Sequence, residues 1–354
     1  MRKTLLLLTT MALALLVAGG VALAATVTCQ VGVTCNGTTS ADTITGTTSN
    51  DTIKGLAGND TISALDGIDK IDGGPNNDTM DGGAGNDTYL FANFWGIDRI
   101  SADSGGVDTL SFALHTQAYN SNGAGVSAGL SGDGPTTCED LNRGNPCYTI
   151  EGSFIENLTG TRFTDELFGN EFNNKINSGD GGSWDPFTGQ ITSYEFMNGL
   201  ASADTYQGYA PGGTANGVDL IRDSGGSTNV DKLSLTQFNL ADAAFFQYAA
   251  TLDSANSDTL LIRLPDGQLI FLWTYFQGTS TDACANASGK GLIEKISFAD
   301  DSNVDFAQVK QLLGCSAAGS GQAKGTMQAG LQPQSFRQPA RSNGTNGVAT
   351  NLQR

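Results

Sequence analysis

An aspartate every nine residues, an apolar residue two positions after each, and turns of Gly and Asn between them predict an all-β chain. Its architecture is expected to be a parallel β-roll, a β-solenoid built from nine-residue repeats, with a strand-rich C-terminal cap. The aspartates are Asp42, Asp51, Asp60, Asp69, Asp78 and Asp87, and the apolar partners are Ile44, Ile53, Ile62, Ile71, Met80 and Tyr89. Gly46, Gly55, Gly73 and Gly82 hold a further position, and Asn50, Asn59, Asn77 and Asn86 precede four of the aspartates.

The spacing sets the local structure. An Asp-x-apolar-x run alternates, as a very short half-buried strand does. Gly and Asn tolerate positive φ, so the other half of each unit makes a tight turn. One unit is a strand and a turn, and two units make a coil with strands on opposite faces. A single coil cannot bury its own apolar side, so stability comes from stacking neighbours. Residues 18 apart then stack directly. Asp42, Asp60 and Asp78 form one column, and Asp51, Asp69 and Asp87 form the other. Carboxylates stacked ~5 Å apart repel one another. A hard divalent cation between them removes that repulsion. Calcium suits the site better than magnesium, because it accepts six to eight oxygens, backbone carbonyls included, in flexible geometry.

The unit Gly82-Gly83-Ala84-Gly85-Asn86-Asp87-Thr88-Tyr89-Leu90 resembles the G-G-x-G-x-D-x-U-x nonapeptide of repeats-in-toxin proteins, the haemolysin-type calcium-binding repeat. Gly73 to Asp81 is a close variant, and Gly55 to Ser63 keeps Gly55, Gly58 and Asp60. The resemblance implies a calcium-filled parallel β-roll. It further implies that Asp42, Asp51, Asp60, Asp69, Asp78 and Asp87 supply carboxylate ligands, and that Gly83, Gly85, Gly58, Gly67 and Gly74 supply turn carbonyls. The turn Thr47–Asn50 lacks these glycines and departs from the pattern.

Residues 1–24 read as a secretory signal peptide: Arg2 and Lys3, an apolar run from Leu5 to Leu23, then Ala22-Leu23-Ala24 as a small-x-small cleavage pattern. No other segment is long and apolar enough to suggest a membrane span. Family members usually leave the cell through an exporter that reads a C-terminal signal, so an N-terminal leader is a departure. The formal charge of −18 becomes −20 once Arg2 and Lys3 are removed. Such a surface repels phosphate, which argues against nucleic acid and for cations. The six cysteines in an oxidising compartment predict disulfides. Local pairing would join Cys29 to Cys35, Cys138 to Cys147 and, by elimination, Cys284 to Cys315. Other pairings of six cysteines stay open. A zinc site is disfavoured, since there is no C-x-x-C and His115 is the only histidine.

The roll is expected over 25–115. A Gly-, Ser- and Asn-rich insert over 116–150 reads as a disulfide-pinned loop. A degenerate repeat block follows over 151–240. In it Glu156, Asp165 and Asn174 keep the nine-residue spacing, with Leu158, Leu167 and Ile176 in step, and Glu195 and Asp204 suggest two further units. The stretch Gly96-Ile97-Asp98-Arg99-Ile100 to Val107-Asp108-Thr109-Leu110 resembles Gly217-Val218-Asp219-Leu220-Ile221 to Val230-Asp231-Lys232-Leu233, which suggests a duplicated module. Over 241–315 a capping region is expected: a strand at Leu260–Leu264, a turn at Pro265–Gln268, a strand from Leu269 to Phe276, and a short helix near Val304–Leu313. Trp273, Tyr275 and Phe276 are expected in its core, with partner binding through these aromatics as the alternative. The Ser-, Gln- and Asn-rich tail over 316–354 reads as disordered.

No nucleophile-elbow or zinc-protease motif occurs, and His115 has no nucleophile in sequence to serve, so a non-catalytic role is expected. The expected function is calcium binding outside the cell or at its surface, with folding linked to the ion. The alternatives are an adhesin or matrix module that binds polysaccharide and, more remotely, a polysaccharide-active enzyme. For the adhesin, Thr43, Thr61 and Thr79 would line one outer face, with Thr52 and Thr88 on the other.

Overall fold

The computed structural model describes residues 23–315, except 94, 102–103, 119–123, 131–135, 139–146, 150–154, 188–190, 209–216, 224–228, 249–258, 274, 278–283, 285–286 and 289–292. Residues 1–22 of the expected leader and the tail from 316 lie outside the described residues. The chain divides into two compact units, Met1–Asp108 and Thr109–Arg354.

The first unit is the expected roll. Its strands are β1 (Thr26–Thr28), β2 (Cys35–Asn36), β3 (Thr43–Thr45), β4 (Thr52–Lys54), β5 (Thr61–Ser63), β6 (Lys70–Asp72), β7 (Thr79–Asp81), β8 (Thr88–Leu90) and β9 (Arg99–Ile100). Odd strands form one sheet in the order β1-β3-β5-β7-β9, and β2-β4-β6-β8 run together in the other. Every one of these pairings is parallel. Three-residue strands suffice because the middle residue points inward and the outer two are at least partly exposed, as in β3 and β5. Ile44, Ile62, Met80 and Ile100 stack along one sheet, and Cys35, Ile53, Ile71 and Tyr89 along the other. All are buried.

A core this thin has no second layer to collapse into a void. Ile62→Ala, between Ile44 and Met80, is expected to cost about 2–5 kcal/mol, read from denaturant unfolding with calcium present. The Cys29–Cys35 disulfide closes the first turn, and Cys284–Cys315 ties down the C-terminal segment. Cys138 and Cys147 face each other in register on antiparallel strands; their side chains lie outside the described residues.

The second unit keeps two parallel ladders but lengthens the connections. One ladder runs through Thr109–Ser111, Asn157–Thr159, Lys175–Asn177, Thr205–Gln207, Lys232–Leu235 and Lys295–Phe298. The other runs through Ala124–Gly129, Thr164–Phe168, Glu195–Asn198, Val218–Ile221 and Leu269–Leu272. The segment 116–150 therefore contributes strands where its composition suggested only a loop. Val126 and Ala128 alternate inward there among small residues, a weak apolar signal that Gly and Ser obscure.

Both ladders end in antiparallel strands. Asn303–Val304 folds back on Lys295–Phe298, and Thr259–Arg263 and Ala244–Tyr248 follow Leu269–Leu272. An open parallel edge would leave backbone groups unpaired, and hairpins turn that edge over. The helix α1 (Phe306–Leu312) starts at Asp305, which forms a capping box with Gln308. Trp273 and Tyr275 are buried, as expected of core aromatics, and the Phe276 side chain lies outside the described residues. His115 is buried edge-on to the Phe163 ring. Among the described residues, no helix is long and apolar enough to cross a membrane.

Candidate metal centre

The six aspartates of the period form the two predicted columns, and all are buried. They are joined by a specific contact: the backbone N–H of each Asp donates to Oδ1 of the Asp one coil later. Asp42 donates to Asp60 at 2.8 Å and Asp60 to Asp78 at 2.7 Å. Asp51 donates to Asp69 at 2.7 Å and Asp69 to Asp87 at 2.8 Å. Both columns then gain a member that the period did not reach. Asp78 donates to Asp98 and Asp87 to Asp108, across 20 and 21 residues in place of 18. The extra residues in the last coil break the count. The surviving signal is the short Asp-x-apolar run in Asp98-Arg99-Ile100 and Asp108-Thr109-Leu110.

The second carboxylate oxygen sorts the turns into two kinds. In the turns at 37–42 and 46–51 a threonine caps the acid. Thr38 N–H donates to Asp42 Oδ2 at 2.5 Å and its hydroxyl to Oδ1 at 3.1 Å. Thr47 donates its N–H and hydroxyl to Asp51 Oδ2 at 2.6 and 3.0 Å, leaving Oδ1 without a partner. In the next four turns the second residue is left-handed, so its N–H points elsewhere. That residue is Leu56 (φ 76°), Leu65 (φ 78°), Gly74 (φ 95°) or Gly83 (φ 91°). Asp60, Asp69 and Asp78 consequently keep a buried Oδ2 with no hydrogen-bond partner. A buried carboxylate oxygen left bare is costly. It is accounted for when a cation supplies the missing contact.

The backbone around these oxygens is as close as glycine allows. A Cβ on Gly74 would collide with the Leu56 carbonyl oxygen, one on Gly83 with that of Leu65, and one on Gly85 with that of Gly67. Turn carbonyls of one coil therefore stand against the turn glycines of the next, and at Gly55 an added Cβ would meet both the Gly73 carbonyl and Asp60 Oδ2. Gly58 and Gly67 also hold positive φ and pack against the Ser40 and Ser49 carbonyls. The glycines at 55, 73 and 82 have a second use: a side chain there would strike Oδ2 of Asp60, Asp78 and Asp87. The asparagines form a ladder of their own. Asn50, Asn59, Asn77 and Asn86 each accept a backbone N–H from the adjacent coil, from Ile68, Asn77, Ile97 and Val107.

Electrostatics follow the same division. Hydrogen bonds from Thr38 and Ala25 outweigh burial at Asp42 and hold its carboxyl below the ordinary value. Burial pushes Asp69 up to about 6, Asp78 to about 7 and Asp98 to about 8, with the neighbouring acid of the same column adding to each rise. A divalent ion between the carboxylates would offset these rises. All-oxygen donors, several of them carboxylate, and flexible turns fit calcium.

The second unit has columns of its own, built from residues far apart in sequence. Asn174 N–H donates to Asp204 Oδ1, Asp204 to Asp231 Oδ1 and Asp231 to Glu294 Oε2. Strand register places Asp165, Glu195 and Asp219 in line on the other side. The turns at 160–165 and 169–174 are self-capped. Thr161 donates to Asp165 from N–H and hydroxyl, and Asn170 N–H donates to Asn174. Ser178 and Gln268 donate to Asp219. Glu195 is wholly buried; burial, with Asp165 and Asp219 beside it, pushes its carboxyl well above the ordinary range. The duplicated module now has a physical meaning: Asp98 and Asp108 in the first unit, and Asp219 and Asp231 in the second, each extend a column.

Fold and site define the class as a parallel β-roll whose turns carry stacked, buried carboxylates. Residues 36–69, 55–89 and 159–182 match the family described as RTX calcium-binding nonapeptide repeat (4 copies). The matched residues carry RTX repeats, which indicate calcium binding. A search of the curated proteins finds no match to the chain.

Proposed function

We propose that the chain is a secreted calcium-binding roll that gains structure when it meets calcium outside the cell, and that it acts there or at the cell surface as a structural or binding element. The ions would lie between coils, on Asp60, Asp69, Asp78 and Asp87 and on turn carbonyls that include Gly58, Gly67, Gly74, Gly83 and Gly85. Asp42 and Asp51 would complete the lower rungs, more weakly, because Thr38 and Thr47 already cap them. One observation carries the reading: bare, buried Oδ2 atoms occur at Asp60, Asp69 and Asp78, in turns whose second residue is left-handed.

Circular dichroism of the whole mature chain tests it, first in chelator and then with calcium or magnesium added separately. The expected outcome is a cooperative gain of β signal with calcium alone, at roughly the 10⁻⁴–10⁻³ M of extracellular calcium modules. The gain should be lost in Asp60→Ala/Asp78→Ala. A spectrum already complete in chelator and unmoved by calcium rules the linkage out.

A second reading, polysaccharide binding, is favoured by one observation. Thr26, Thr43, Thr61 and Thr79 pair in register on one outer face, beside Thr28, Thr45 and Ser63. On the opposite sheet Lys70 interrupts Thr52 and Thr88. A flat hydroxyl array of this kind would bind glycan. Retention on insoluble cell-wall polysaccharide, reduced in Thr43→Val/Thr61→Val, would support it, and equal retention of the two chains would dismiss it.

A further inference from the structure

The turn Gly199–Asp204 lies outside the residues that match the repeat family, yet it has the backbone of the ion-type turns. Leu200 holds φ of 76°, as Leu56 does at the same place in its turn, and Ser202 holds φ of 78° at the place of Gly58, which is also left-handed. Asp204 is 1 % exposed. Its Oδ1 accepts from Asn174, and its Oδ2 has no partner. The Asp204 Oδ2 and the Tyr206 hydroxyl crowd the same side of Gly199. That hydroxyl donates to Asp223 Oδ2 at 3.0 Å and accepts the Gly199 N–H at 2.7 Å. Asp231 is the next rung, joined to Asp204 at 2.8 Å and to Glu294 at 2.7 Å.

Asp223 is the unusual member. It follows the strand Val218–Ile221, which belongs to the other ladder, and the nine-residue unit has no acid at such a place. It completes a group in which one oxygen each from Asp204, Asp223 and Asp231 all lie within 4.8 Å of one another. All three residues are buried. Three carboxylates so close cannot all stay ionised without a cation. Burial, with Asp223 and Glu294 beside it, raises Asp231 to about 8, and burial with Asp223 nearby raises Asp204 to about 7.

We propose that Asp204, Asp223 and Asp231 hold a divalent cation of the calcium type, with Glu294 at the edge of the site. Oxygens roughly 2.3–2.6 Å from a calcium ion stand up to about 5 Å apart, which is the size of this group. The all-carboxylate donor set selects a hard ion over zinc or copper. Tyr206 fixes Asp223 through its hydroxyl. The site is independent of the columns in the first unit and stands even if those bind nothing.

The test compares melting of the whole chain and of Asp223→Asn, each in chelator and in saturating calcium. Asp223→Asn keeps the shape and removes one charge. It should melt higher than the parent in chelator and lower in calcium, an inversion that a purely structural residue would not produce. The Asp60→Ala/Asp78→Ala background weakens the roll without touching this site: calcium should still raise its melting temperature, and Asp223→Asn should reduce that rise. Equal losses in chelator and calcium would overturn the proposal. Should Asp223→Asn fail to fold, terbium emission excited through tyrosine decides. It should fall in Tyr206→Phe, and unchanged emission would overturn the site.

Discussion

Acidifying the calcium-free protein from about pH 8 to about pH 5 should raise its melting temperature, whereas the same change in saturating calcium should lower it. In the folded state Asp69, Asp78 and Asp98 have carboxyls raised to about 6, 7 and 8, by burial first and then by the acids stacked on them. In the unfolded chain the same groups titrate near about 3.9. The folded state thus binds these protons more tightly. The stabilisation is complete below the unfolded value and is lost as pH rises through about 6 to 8. Solvent at the turn rims screens part of it. Even about 1 kcal/mol of net gain moves a unit of this size by roughly 4–8 °C. With calcium bound, protons compete with the ion for the same oxygens, so acid costs affinity and the sign reverses. Asp42, which Thr38 and Ala25 hold below the ordinary value, works against the chelator trend only at strongly acid pH. Differential scanning calorimetry across pH, with and without calcium, reads both slopes. Parallel slopes would mean that the columns do not hold the ion.

Gly83→Ala should destabilise the roll by about 3 kcal/mol, while Gly105→Ala should cost about 1 kcal/mol. Both glycines have positive φ, 91° and 124°, so both substitutions strain the backbone. Only at Gly83 does the added Cβ also meet a neighbour, the Leu65 carbonyl oxygen one coil back. A Cβ on Gly105 meets nothing within 4 Å. The Leu65 carbonyl belongs to the hydrogen-bonded backbone, since it accepts from Ala84 at 3.0 Å, and cannot step aside as a side-chain tip would. The coils must separate locally. Denaturant midpoints of the two variants in calcium measure the difference, which isolates coil-to-coil contact from φ strain. Gly83→Ala should also weaken calcium binding, because the turn it shifts ends at Asp87. Equal costs for the two variants would mean that the stack gives way without penalty.

The roll of the first unit was legible because its period is strict. When strand and turn together take nine residues, an apolar residue at Ile44 forces one at Ile53 and Ile62, and the aspartates must stack. Six carboxylates and the glycines that make room for them could be placed from spacing, whereas the disulfides Cys29–Cys35 and Cys284–Cys315 were one pairing among several left open. The columns became illegible wherever the connection between strands varied in length. Asp98, Asp108, Asp219, Asp231 and Glu294 occupy the same structural place as the periodic acids, but parallel pairing tolerates any loop between its strands, so distance along the chain no longer reports distance in space.

The amino-acid sequence by itself therefore determined the repeat, its inward and outward faces, the chemistry of the turns and the class of ion they suit. Only the tertiary structure decided which carboxylates are already capped and which are bare. That choice depends on the backbone of the second turn residue. Thr38 and Thr47 turn an N–H onto the acid, whereas Leu56 and Leu65 are held left-handed, a conformation no local preference of leucine would supply, by stacking on the coils beside them. Stacking likewise brought Asp223 from one ladder against Asp204 and Asp231 of the other, because a carboxylate column is a property of neighbouring coils and not of any single turn.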